Sequence, residues 1–142
     1  MSLFATARRV FLKDKYHESI FFLLRDRKTV DLFAIRPEDQ AQKFLMMRIL
    51  GNKVLNSAVD AVISLGEFWT APADPLKPYQ RAGESPDRQE LLAANLITKG
   101  GVPLEIFSLI ERDGTDVRLG ETQIKRDGIA FLFAPVYQAW GR

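Results

Sequence analysis

Residues 19–35 read SIFFLLRDRKTVDLFAI, and this stretch decides the fold. Its two halves, 19–25 and 29–35, are rich in strand-forming apolar and aromatic residues. Asp26, Arg27 and Lys28 join them at hairpin length. Strands joined that closely run antiparallel. The first half is apolar on both of its faces, so it belongs inside a sheet or under cover on each side.

Upstream, residues 2–13 read as a short helix, because Leu3, Phe4, Ala7, Val10 and Phe11 recur at helical spacing. Arg8 and Arg9 then lie on its outer face. Downstream, residues 37–57 carry the strongest helical pattern. Pro37 suits the first helical position, and Glu38 and Asp39 complement the dipole. Phe44, Met47, Gly51, Val54 and Ala58 form one stripe, widened by Leu50 and Leu55. Gly51 costs the helix about 1 kcal/mol relative to Ala. Its presence in the stripe points to close approach of the helix to a sheet.

Residues 59–69 (VDAVISLGEFW), 89–99, 103–112 and 128–137 read as further strands, and 117–124 as a short one interrupted at Gly120. Gly100-Gly101, Asp113-Gly114 and Asp127-Gly128 are turn signals. Trp140 sits in a tail placed to fold back. The sum is a single α+β domain over residues 1–142. Its sheet is mainly antiparallel, with five to six strands. One long helix packs across a face, and a short helix stands at the N-terminus.

Composition narrows the chemistry. The 142 residues are 46% hydrophobic and 27% charged, a globular balance. There is no Cys, which removes disulfides, thiolate metal sites and cysteine nucleophiles. The single histidine, His17, cannot build a histidine-rich metal centre. No phosphate-binding glycine loop, dinucleotide fingerprint, zinc-protease helix or nucleophile elbow occurs, so no cofactor or metal is implied. No apolar run is long enough to span a bilayer, and residues 1–15 lack the apolar core of a secretory signal. The expected location is cytoplasmic. The net charge of +2 comes from interspersed charges rather than a basic stripe.

The candidate residues cluster around the longest irregular stretch. Residues 70–88, TAPADPLKPYQRAGESPDR, hold four of the seven prolines. Connections of that length in a small domain are often functional. Glu67 and Trp69 close the strand before this loop. A carboxylate beside aromatics acquires a raised pKa and suits proton transfer, or it is a strand-end glutamate paired to an arginine. Asp87 and Arg88 end the loop. Asp87 is placed to fix the turn through the local backbone. Arg88 offers a planar fork to a carboxylate, either a ligand's or that of Glu67 or Glu90. Trp69, Asp87 and Arg88 are the candidate ligand-binding set. His17, before the first strand, is either a second proton-transfer group or an ordinary strand-entry histidine.

Tyr16-His17, Gly66-Glu67-Phe68-Trp69 and Ser85-Pro86-Asp87-Arg88-Gln89-Glu90-Leu91 together resemble a group of uncharacterised bacterial and phage-associated proteins. In that group a strand ending in Glu-Ala-Trp precedes a Pro-rich loop and a Pro-Asp-Arg-x-Glu-Ala-Leu strand entry. Phe68 here replaces the Ala of that strand end. The resemblance spans residues 13–120. It implies no activity, but it draws Glu67, Trp69, Asp87 and Arg88 together as a set.

Three functions fit these residues. The first is a non-catalytic binding or assembly module of bacterial or phage origin, self-associating or joined to a protein partner. The second is a small metal-independent enzyme using Glu67 and His17, with Arg88 as anion holder. That reading requires the three to converge. The third is weak nucleic-acid binding through Arg8, Arg9, Lys13, Lys15, Arg25, Arg27 and Lys28, which steep salt dependence would reveal.

Overall fold

The computed structural model describes residues 2–35, 40–71, 74–77, 84–126 and 133–141, with backbone only at 2, 35, 40, 41, 43 and 44. Pro37, Glu38, Asp39, Pro72, Pro78, Tyr79, Asp127 and Gly128, and the Phe44 side chain, lie outside the described residues.

Within them the elements run α1 (Ser2–Asp14), β1 (Ser19–Arg25), β2 (Lys28–Ile35), α2 (Gln40–Asn56), β3 (Ala61–Thr70), β4 (Gln89–Thr98), β5 (Leu104–Asp113), β6 (Asp116–Leu119), β7 (Gln123–Lys125) and α3 (Ala134–Ala139). The strands form one seven-stranded sheet in the order β2-β1-β3-β4-β5-β6, with β7 also on β5. Every pairing is antiparallel. The β1–β2 hairpin turns on Asp26 and Arg27, both at positive φ, as a tight two-residue hairpin turn requires. The count exceeds the expected five to six because residues 117–124 contribute to two strands. Gly120 N–H donates to Leu109 O between them.

The apolar double face of β1 has its explanation in the layers. Phe21 and Leu23 point into a core with Met47, Leu50 and Val54 of α2 and Phe133, Val136 and Tyr137 at α3. Phe22, between them, packs toward a second core built on Phe4, Ala7 and Phe11 of α1 with Leu65, Leu92, Ala94, Ile106 and Ile110. Strand side chains alternate between faces, so the two cores lie on opposite sides of one sheet.

Three expectations are corrected here. One long helix does not carry a face: three short helices divide two faces, and α2 leans on α3. Gly51 is tight against α3 rather than the sheet, since a Cβ there would meet Pro135 O at 2.9 Å. The strand expected over 128–137 is helix from Ala134 onward, its earlier part lying outside the described residues. Pro135 has no N–H to give a sheet but suits a first helical turn. Buried Phe133, Val136 and Tyr137 recur at helical spacing. Trp140 does fold back, its Nε1 donating to Val59 O at 2.7 Å.

Candidate functional site

Gly66 lets the start of β1 approach β3 closely, since a Cβ there would meet Ser19 Cα at 3.0 Å. That contact sets the α1–β1 connection over the end of β3, beside Glu67. The Glu67 side chain is 16% exposed. Its Oε2 accepts from the backbone N–H of His17 at 3.3 Å, and its Oε1 accepts from Arg112 Nη2 at 3.0 Å. The same Nη2 donates to Glu90 Oε1 at 2.6 Å, and Arg112 Nε donates to Glu90 Oε2 at 3.0 Å. Arg112 thus grips Glu90 bidentately and Glu67 by one bond, while its guanidinium lies 5.9 Å from the Phe11 ring centroid.

The two carboxyls titrate in opposite directions. Burial pushes Glu67 up, reinforced by neighbouring Glu90 against the His17 N–H and Arg112. The Arg112 hydrogen bonds hold Glu90 below the usual carboxylate range. His17 is 8% exposed, and burial depresses its pKa. Its Nδ1 donates to Glu18 O at 2.7 Å, so this nitrogen carries the ring proton. His17 and Glu67 are therefore neighbours, joined through the His17 backbone.

Arg88 does not pair with Glu67 or Glu90. Its Nη1 donates to Ser85 O at 3.1 Å, and its guanidinium lies 5.2 Å from the Trp69 ring centroid. Nor does the Asp87 side chain fix the turn as expected. Ser85 does, its Oγ accepting from Asp87 N–H at 3.1 Å and its carbonyl from Arg88 N–H at 3.3 Å. Trp69 remains 50% exposed. Trp69 and Arg88 line an open groove of about 330 Å³ with Gln89, Glu90 and residues 109–112.

The structure thus separates two groups that the sequence joins. Glu67, Glu90 and the His17 backbone gather round Arg112, while Trp69 and Arg88 form a platform beside them. Arg112 and Ser85 were missed. The β4–β5 register, with Leu91 opposite Leu109, is what brings Glu90 and Arg112, beyond that pair, within reach of each other. Of the basic residues read as a nucleic-acid surface, Arg8 is partly buried rather than outward. It donates to Ser108 Oγ and, at 2.8 Å, to Gly120 O. Lys15 donates to Thr115 O and Arg25 to Ser57 O. Among the described residues no helix is long and apolar enough to cross a membrane.

No curated protein and no solved structure matches the chain. A family model does, over residues 1–142, and its description is Bacteriophage lambda protein ea47. The resemblance to phage-associated proteins is thereby given a family, and the chain belongs to the bacteriophage lambda protein ea47 family.

Proposed function

We propose that this phage-family chain is a non-catalytic binding module, and that its contact site is the Trp69–Arg88 groove. The observation that carries this reading is the half-exposed indole of Trp69 with a guanidinium stacked on it along a groove wall. Exposed tryptophan and arginine are the side chains that most often anchor a partner. Among the described residues, Arg88 spends one nitrogen, Nη1, on Ser85 O. The rest of its fork faces an incoming anionic group, and the Ser85 turn holds it in place beforehand. The occupant is a peptide segment of a protein partner that presents a carboxylate to Arg88 and a flat apolar group to Trp69.

The enzyme reading has less support. Both Glu67 oxygens are engaged, one by Arg112 and one by the His17 N–H. The His17 ring is turned to Glu18 O. The separated pKa values of Glu67 and Glu90 follow from burial and from Arg112 without a substrate.

A random peptide library panned against immobilised protein tests the proposal. Wild type should enrich peptides with a carboxylate next to an aromatic residue. Trp69→Ala and Arg88→Ala should each weaken the best binder at least tenfold, and Glu67→Gln should leave it within twofold. Equal enrichment on wild type and Arg88→Ala, or loss on Glu67→Gln alone, would defeat the groove reading.

A further inference from the structure

Helix α2 is apolar on two sides. Met47, Leu50 and Val54 are buried in the core it shares with the sheet and α3. Leu45, Ile49 and Leu55, on its other side, are 59%, 41% and 63% exposed. A helix apolar all round is ordinarily covered all round. The open side is concave. Where α2 and α3 meet, at Gly51 and Pro135, they leave a groove of about 550 Å³, and the three exposed side chains all line it. Aliphatic side chains gathered on one concavity mark a contact surface rather than scattered surface residues.

The lining selects the occupant by charge. Its polar groups are Arg48 and the amides of Asn52 and Gln138, with no carboxylate among them. Residues 40–56 hold Lys43, Arg48 and Lys53 but no Asp or Glu, and residues 134–139 hold no charge. Lys53 is matched by Asp31 at 3.2 Å, whereas no acidic side chain pairs with Arg48 among the described residues. An apolar ligand that brings a carboxylate gains a charge-assisted bond at Arg48, and one that brings an ammonium is repelled.

The backbone selects its form. Both walls are helices, whose N–H and C=O groups bond within the helix, so no sheet edge is offered to an extended peptide. A segment lying there has to satisfy its own backbone, as a helix does. That helix does not come from a second copy. α1 sets Arg8, Arg9 and Lys13 against Asp14 alone, α2 is basic and α3 is uncharged, so none of them supplies the acidic side chain.

We propose that the α2–α3 groove binds an amphipathic helix of a different protein. The apolar stripe of that helix sits against Leu45, Ile49 and Leu55, and an Asp or Glu beside the stripe meets Arg48. The site shares no lining residue with the Trp69–Arg88 groove and does not rest on it.

A displayed library of helical peptides of about five turns tests this. Leu or Ile is fixed at positions i, i+3, i+4 and i+7, and Glu, Gln or Lys is allowed beside that stripe. Panning on wild type after depletion on Leu45→Glu should enrich Glu beside the stripe. The best peptide should gain helical circular dichroism on binding. Arg48→Glu and Leu45→Glu, both at exposed positions and checked by unchanged melting, should each weaken it at least tenfold. Trp69→Ala should leave it within twofold. The proposal is overturned if no peptide is enriched over Leu45→Glu, if the enriched peptides carry no excess of Glu, or if Arg48→Glu leaves affinity within twofold. Binding to phosphatidylserine vesicles that Leu45→Glu abolishes, with no peptide enriched, would overturn it in favour of a membrane surface. A concentration-dependent dimer broken by Leu45→Glu would overturn it in favour of self-association.

Discussion

Arg112 shows how one residue can organise a site that its own sequence context does not advertise. It sits near the end of β5, just before a turn, and reads there as a solvated strand-end cation. Its partners come from β4 and β3, and the third contact of that cluster, the His17 N–H, comes from the α1–β1 connection. Glu67 was legible as a perturbed carboxylate, because a glutamate closing an apolar strand beside aromatics is desolvated wherever the strand goes. The arginine that meets it was not, because that depends on register. His17 carries the clearest pH consequence. Its folded-state pKa is depressed below the ordinary 6.5 by burial. As pH falls through 6.5 the unfolded chain takes up a proton that the folded chain refuses, so stability declines until the folded pKa is reached. Glu67, raised above 4.5, works the other way and favours the folded state as it protonates at lower pH. Urea titrations at several pH values should therefore show wild type losing stability from pH 7 toward pH 5.5. His17→Asn should flatten that decline, and Glu67→Gln should leave it in place.

At the scale of elements, α2 and α3 meet through Gly51 and Pro135. Helix propensity alone says Gly51→Ala should stabilise by about 1 kcal/mol. Geometry reverses the sign. The added methyl would lie 2.9 Å from Pro135 O and 3.2 Å from Pro135 C, and backbone atoms do not step aside as a flexible side chain does. Gly51→Ala should lower stability by about 1–3 kcal/mol through overpacking, measured by thermal melting. Gly100→Ala, with nothing within 4 Å, is the control and should stay close to wild type. The sequence shows that Gly51 marks a close approach, but not which element approaches. The misreading of α3 has a related cause. A short apolar run with no polar alternation fits a buried strand or one helical turn equally well. Pro135 and the 133, 136, 137 spacing of the buried side chains were the signals for helix.

At the scale of the molecule, one sheet is shared by two cores, and neither helix layer has a face to bury without it. Phe11, fully buried under α1, and Leu50, fully buried under α2, therefore belong to the same folding unit although they lie on opposite sides. Phe11→Ala should cost about 3–5 kcal/mol and Leu50→Ala about 2–5 kcal/mol. Circular dichroism and tryptophan fluorescence should trace a single coincident urea transition in both variants. Two separated transitions would mean that the layers fold independently. The sequence by itself determined β1 to β5 and their antiparallel hairpins, because residue alternation, turn dipeptides and connection lengths are local properties. It also placed Glu67 and Trp69 at a strand end and Arg88 at a strand entry. Tertiary structure decided which face each helix covers and that Arg112 rather than Arg88 holds the carboxylates. Those outcomes depend on cross-strand register and on helices distant in sequence, and long-range contacts leave no local pattern to read.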